Sequence, residues 1–189
     1  MNVLQLITRA LRMNKILGVG EDPAADAADD CLSILQSQLL LMFPRKPTDV
    51  LVAADYTAGE NERIFDQADT SVAITLPETV TGSDGVERPP HDGAMATIAG
   101  SPSQRFIYIS DLGGWQELTS LALTTENPLG VEFDEPIAAI LAANLSEFGA
   151  VPQETLLKAQ AGRSAILSRF RQPYTSAIDP VLTRAWRAY

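Results

Sequence analysis

The sequence predicts an α+β fold: a body of four helices with an inserted small antiparallel β lobe and an extended C-terminal arm. Apolar residues recur at helical spacing near both ends of the chain, whereas the middle alternates β-branched and aromatic residues between turn residues. A chain of 189 residues with 46% apolar content can bury a core. We assign the helical body to 1–44 and 131–172, the β-rich lobe to 45–130 and the arm to 173–189.

Two helices are predicted in the first 44 residues. The first covers 2–16 and is followed by Gly18, a residue type that suits a helix end. The second has Asp22 as its N-cap and Pro23 at its first helical position, and it ends before Pro44. Its apolar stripe is the clearest in the chain and consists of Ala24, Ala28, Cys31, Leu35, Leu39 and Met42.

The inserted lobe is predicted to contain four to six short antiparallel strands. Turn residues such as Pro89-Pro90 and the Gly113-Gly114 pair separate the strand-like segments. Because so small a sheet is marginally stable alone, we expect it to pack on the helices or on another subunit. The strand-like segments are 71–76, 79–81, 94–99 and 105–110.

Two further helices are predicted after the lobe. The third covers 135–148, with Pro136 near its start and Gly149 past its end, and its broad apolar face implies burial on more than one side. The fourth begins at Pro152 and ends before Pro173. Its apolar residues are Leu156, Leu157, Ala159, Ala161, Ile166, Leu167 and Phe170.

The arm combines apolar surface with positive charge. Pro173 and Pro180 prevent the fourth helix from continuing, and the apolar side chains beyond it are too many to remain solvated. We favour an arm that orders only against a partner, and a tail folded onto its own core is the alternative. The candidate partner-binding residues are Tyr174, Ile178, Val181, Leu182, Arg184, Trp186, Arg187 and Tyr189.

Charge is distributed unevenly along the chain. The formal net charge is −10, of which 1–157 hold −15 and 158–189 hold +5. Phosphate affinity needs clustered cations, so we expect no binding to free DNA. An acidic body with a basic tail indicates docking on an acidic neighbour, which includes another copy of the chain.

The supply of chemistry-bearing residues argues against an enzyme. The chain has one histidine, His91, and one cysteine, Cys31. A catalytic triad would have to use that single histidine, and a zinc site would lack most of its usual nitrogen and sulfur ligands. We expect no catalytic residue, cofactor or metal, although a hydrolase that uses two carboxylates stays open. Two acidic clusters could hold a hard cation but fit helix starts better: Asp26, Asp29 and Asp30, and Glu132, Asp134 and Glu135.

Two further groups of residues, a set of glycines and a set of aromatic residues, bear on possible ligand binding. The glycines at 18–20 and 113–114 lack the Gly-Lys-Ser/Thr ending of a phosphate loop. Trp115, Tyr108 and Phe106 could form an aromatic platform for a carbohydrate or peptide, or simply the core of the lobe.

Neither a membrane-length apolar window nor a leader is evident, and a lone cysteine suits a reducing compartment, so we expect a soluble protein made in the cytoplasm.

About half of the chain resembles the phage head-to-tail connectors, the adaptor or tail-accessory proteins that bind the portal. The resemblance lies in the stretch LQLITRALRMNKILGVGED at 4–22, in the second helix to Met42, and in PIAAILAANL at 136–145. Phe148-Gly149 and an arginine-containing last helix follow. The β insertion of roughly eighty residues departs from the minimal helical adaptor of this family.

The resemblance implies a structural role without catalysis or cofactor. Such adaptors form a homo-oligomeric ring, usually of twelve copies, beneath the portal protein and above a tail or stopper protein. DNA would pass through the ring without specific binding, and the protein would reside at the head–tail junction of the virion after synthesis in the host cytoplasm. The alternative function is a small ligand-binding module, for carbohydrate or peptide, within a phage structural protein.

Overall fold

The computed structural model describes residues 1–44, 50–52, 76, 78–81, 87–98 and 104–170. These residues form four α-helices and a small sheet, which confirms the predicted α+β class. The helices are α1 Val3–Met13, α2 Ala25–Met42, α3 Asp134–Ala143 and α4 Gln153–Arg169. The strands are β1 Val50–Val52, β2 Val80–Thr81, β3 Glu87–Arg88, β4 Met95–Ile98, β5 Gln104–Ile109 and β6 Gly114–Glu117. Two 3-10 turns lie at Ser110–Leu112 and Val131–Phe133.

Helix α1 begins with a capping box and ends earlier than predicted. The Asn2 side chain accepts from the Gln5 backbone N–H at 2.9 Å, and the Gln5 side chain accepts from the Asn2 N–H at 3.0 Å. Beyond the C-cap Asn14, Lys15 takes a left-handed conformation with φ 59°. The helix therefore ends at Met13, three residues before the predicted end at residue 16, because Lys15 adopts the terminating conformation.

Helix α2 buries five of the six residues of the predicted stripe, all but Ala24, and starts later than predicted. Ala28, Cys31, Leu35, Leu39 and Met42 are all buried. Its N-cap is Ala24, whose extended backbone delays the first helical turn and which offers no side-chain hydrogen bond. The assignment of the N-cap to Asp22, with Pro23 as the first helical residue, was therefore wrong.

Three antiparallel strands form the centre of the sheet, as the sequence predicts for the lobe. Its order is β1-β4-β5-β6, with Met95 opposite Ile107 and Tyr108 opposite Trp115. Strand β1 adds a parallel edge that was not predicted, and neither was β6. Strands β2 and β3 form a separate antiparallel pair. Most of the predicted strand at 71–76 lies outside the described residues.

Helix α3 is the centre of the helical body. It packs against α1, α2 and α4, and six consecutive residues from Ile137 to Ala142 are buried, which confirms burial on more than one side. The helix ends at Ala143, five residues before the predicted end at Phe148. The Asn144 side chain closes the last turn by donating to the Ile140 carbonyl at 2.7 Å, because asparagine competes for backbone carbonyls.

One hydrophobic core joins the helices to the sheet. Met95 of β4, Ile107 and Ile109 of β5 and Leu118 after β6 lie in the same buried cluster as the apolar faces of α1, α2 and α3. The lobe thus packs on the helices, one of the two arrangements expected for a sheet too small to be stable alone. Across the described segments, no helix combines the length and the apolar character needed to cross a membrane.

Candidate assembly surface

Helix α4 packs on the body through three small residues and one isoleucine. Thr155, Ala159, Gly162 and Ile166 form its buried stripe, and α3 is its closest neighbour. A Cβ on Gly162 would lie 2.9 Å from the Cα of Pro136, so the two backbones approach as closely as a glycine allows. In this orientation Ile166 enters the core, and the leucines of α4 remain exposed.

The side of α4 that faces away from the body carries no charge and exposes three leucines. We call it the α4 outer face and define it as Leu156, Leu157, Gln160, Ala161, Ser164, Leu167 and Ser168, all exposed. Leu156 is 48% exposed, Leu157 60% and Leu167 38%. The sequence predicts these leucines and Ile166 as apolar residues of the helix and does not say which of them face the body. In the structure Ile166 is buried and the leucines are exposed.

One edge of the α4 outer face has an unpaired cation. Lys158 pairs with Glu154 at 2.7 Å, and Arg169 pairs with Asp92 at 2.7 Å. Arg163 is exposed between Leu156 and Leu167, and no carboxylate within the described residues pairs with it. The surface therefore presents leucines beside a positive charge that is free to meet a partner.

Helix α2 presents the opposite charge to solvent. Asp26, Asp29 and Asp30 are exposed, and the helix contains no lysine or arginine. No ion pair involves these carboxylates in the described part of the chain. At the other end of the helix Leu41 is 63% exposed. The α2 surface is thus acidic at its start and apolar at its end.

Ionic contacts fix the end of α4 to the β lobe. Arg169 Nη2 lies 2.7 Å from Asp92 Oδ2 and 3.1 Å from Asp111 Oδ2. The Ser110 backbone N–H donates to the other Asp92 oxygen at 2.8 Å. This backbone hydrogen bond, followed by the Ser110 and Arg169 side chains, lowers the pKa of Asp92 below its ordinary value of 3.8. The carboxylate is therefore held ionised against the end of the helix.

The last described residue is also held by close packing. The Phe170 ring lies edge-on to Phe43 at 5.8 Å between centroids and beside Phe133 at 5.6 Å. Gly93 has φ +82°, and a Cβ there would lie 2.7 Å from the Phe170 carbonyl oxygen. Only glycine allows this approach, so the turn before β4 fixes the point from which 171–189 depart.

The predicted partner-binding residues lie outside the described residues. All eight of them belong to the arm at 173–189, and the structure supplies only its point of departure at Phe170. Sequence reasoning missed the Arg169 and Asp92 contact, for which no spacing pattern exists. Gly93 was visible within a turn-rich run, but its contact with Phe170 joins residues far apart in the sequence.

The residues considered for chemistry occupy ordinary structural positions. His91 is exposed in the turn before β4. Cys31 is fully buried in α2, and burial, with a smaller contribution from Asp30, raises the pKa of its thiol to about 11. At neutral pH this thiol is protonated and enclosed by the core.

The acidic cluster at the start of α3 is occupied by structural contacts. Asp134 accepts from the Asn127 side chain at 2.8 Å, and Glu135 pairs with Arg9 of α1. The cluster at the start of α2 is solvated. Nowhere in the described ranges do three or more histidine, cysteine or acidic side chains converge in a way that could hold a metal ion.

The aromatic residues of the lobe pack on one another. Tyr108 of β5 and Trp115 of β6 are cross-strand partners whose rings meet edge-on with centroids 5.4 Å apart. Both rings are half-buried, as is Phe106. Such pairing is typical of the packing between strands, which favours the core interpretation over a ligand platform.

No protein-family model and no curated protein sequence matches this chain. Support for a function therefore comes from the surfaces and the helix layout of the chain itself.

Proposed function

We propose that this chain is a structural head-to-tail adaptor whose copies form a ring beneath a phage portal. The arm at 173–189 binds the portal protein or a neighbouring subunit, and a tail or stopper protein binds below. DNA passes through the ring without specific contacts. The protein acts as a structural part of the virion and not as an enzyme.

The observation that carries this proposal is the fixed departure point of an apolar and basic C-terminal segment. Phe170 is enclosed by Phe43, Phe133 and Gly93, and Arg169 binds two carboxylates of the lobe. A rigid base lets an arm reach a partner in a defined direction, which reduces the entropy lost on docking. The exposed leucines of α4 add a second apolar surface on the same subunit.

The charge of the chain supports a channel that DNA can traverse. The body is acidic, with a net charge of −15 over 1–157. A lumen of this sign repels phosphates and so does not retain them. The basic arm lies at the opposite end of the charge distribution and suits an acidic acceptor on the portal or on the next copy.

The direct test measures binding between this protein and the portal protein from the same genome. We expect Trp186→Ala to weaken binding by about 2 kcal/mol or more, because a buried indole often dominates an interface. Trp186→Phe is the matched control and should retain most of the affinity. Arg184→Ala and Arg187→Ala should weaken binding less and reduce its salt dependence. Equal affinities for wild type and Trp186→Ala would refute the role of the arm.

A further inference from the structure

We infer that one edge of α4, formed by Leu156 and Leu167 of the α4 outer face and by the adjacent Arg163, binds helix α2 of a second copy of this chain. The inference deepens the proposed function, on which it rests, by naming the surfaces that join neighbouring subunits of the ring. Its basis is an exposed apolar helix face beside an unpaired arginine, and an exposed acidic helix that ends in an exposed leucine. Opposite charges and matching apolar residues make the two surfaces complementary.

The first surface is one edge of α4. Leu156, Arg163 and Leu167 lie seven and eleven residues apart, which is close to two and three helical turns, so they align along the helix. All three are exposed, and Arg163 has no partner among the described residues. A partner that covers the leucines must therefore also supply an anion, or it would leave this cation desolvated.

The second surface is one edge of α2. Asp26 and Asp30 are one turn apart, and Leu41 follows Asp30 by eleven residues, so the three share one side of the helix. All are exposed. This edge supplies the carboxylates that the α4 edge lacks, and, like the α4 edge, it also carries an exposed leucine, Leu41. No cation on α2 would oppose Arg163.

An antiparallel arrangement brings a leucine to Leu156 and an anion to Arg163. If Leu41 of one copy packs on Leu156 of the next, Arg163 lies opposite residue 34, four residues from Asp30. Four residues correspond to about 6 Å along a helix, a distance that an extended arginine side chain spans. In the same register Asp30 lies opposite Leu167, one turn from Arg163, so a single leucine pair and a single ion pair define the contact.

The two surfaces differ, and this determines the kind of assembly. Each copy presents α4 to one neighbour and α2 to the other, which is a heterologous contact. Repetition of such a contact closes a ring when the rotation between neighbours divides a full turn and extends a filament when it does not, whereas a contact of α4 with α4 would stop at a dimer. The proposed interface therefore suits the ring that the proposed function requires.

Disulfide crosslinking tests the pairing in the full chain. In a chain with both Leu41→Cys and Leu156→Cys, mild oxidation should give a ladder of crosslinked oligomers. Either substitution alone should give none, and the native Cys31 is buried and adds no background. No ladder from the double variant at protein concentrations near 1 mM, or crosslinked dimers from a single variant, would overturn the inference.

Charge reversal tests the ion pair independently of new cysteines. We expect Arg163→Glu and Asp30→Arg each to weaken self-association about tenfold, because each places like charges together, and the double reversal to restore it. Lys158→Glu is the matched control, since it makes the same charge change on another side of α4 and should alter self-association less than about twofold. A double reversal as weak as the single variants overturns the inference.

Portal binding, measured on the same variants, separates this inference from the proposed function. A chain that forms the ladder but does not bind the portal protein keeps this interface and refutes the adaptor function. A chain that binds the portal protein but forms no ladder supports the adaptor function and refutes this interface.

Discussion

At the scale of single residues, the end of α4 is held in place by a few side chains whose contacts no sequence pattern predicts. Gly93 and Phe170 are in contact although they lie far apart in the chain, and Arg169 reaches Asp92 across a similar separation. Spacing rules report neighbours within one helix or strand and are silent on such pairs. The glycine in the turn could be read from the sequence, but its contact could not.

Gly93→Ala should lower the free energy of unfolding by about 3 kcal/mol. A positive φ costs a residue with a Cβ about 1–2 kcal/mol, and displacing the Phe170 backbone adds a similar amount. Gly113→Ala is the control, because Gly113 has φ +78° but nothing within 4 Å of an added Cβ, so only the strain remains. Denaturant unfolding measures both variants, and equal losses would contradict the close contact.

Asp92 should make stability depend on pH in the acidic range. Its folded pKa is lowered below 3.8, chiefly by the Ser110 backbone N–H, so the ionised form stabilises the fold. This contribution is complete above the ordinary pKa and is lost as the pH falls through the folded value. The stability gap between wild type and Asp92→Asn should therefore narrow when unfolding is measured from about pH 6 down to about pH 3. A constant gap would contradict this role.

At the scale of elements, apolar stripes predicted the helices well and their ends poorly. Five of the six residues predicted for the stripe of α2 are buried as periodicity requires, and the sixth, Ala24, is the exposed N-cap. The ends of α1 and α3 were not predicted correctly, since Lys15 and Asn144 terminate helices through conformations that local composition does not favour strongly. The outward leucines of α4 were missed because which side faces the core is decided by its fit to α3.

Gly162→Ala should destabilise the protein, opposite in sign to the same change on an exposed helix position. In an isolated helix the substitution gains about 1 kcal/mol. Here the added Cβ would lie 2.9 Å from the Pro136 Cα, and a backbone atom can yield only if the two helices separate. We expect a net loss of about 1–2 kcal/mol in thermal or denaturant unfolding.

The control lies one residue away on the same helix. Ala161 is exposed, and Ala161→Gly should lose about 1 kcal/mol from helix propensity alone. A gain in stability from Gly162→Ala would show that α3 and α4 are not closely packed at this point.

At the scale of the whole molecule, charge and surface are more informative than any motif. The net charge of −10 divides into −15 over 1–157 and +5 over 158–189. The order of charged residues along the sequence predicted this asymmetry, whereas the exposure of the leucines on α4 required the packed structure. The charge of the C-terminal region could therefore be predicted, and the exposed apolar surface of α4 could not.

The acidic body should prevent binding to free DNA. We expect no detectable affinity for duplex DNA at physiological salt, because 14 cationic side chains are outnumbered by 24 carboxylates, whose charge repels phosphates. Fluorescence anisotropy with a labelled duplex measures this directly. A dissociation constant near 1 µM at that salt would contradict a channel that lets DNA slide.

The mass of the complex with the portal protein tests the central claim most directly. Light scattering or native mass spectrometry would compare the portal alone with the portal after addition of this protein. The adaptor account predicts a mass increase of one chain for each portal subunit, and a loss of that increase in Trp186→Ala at limiting concentration. A portal mass that stays unchanged at saturating concentrations of the full chain would contradict the account.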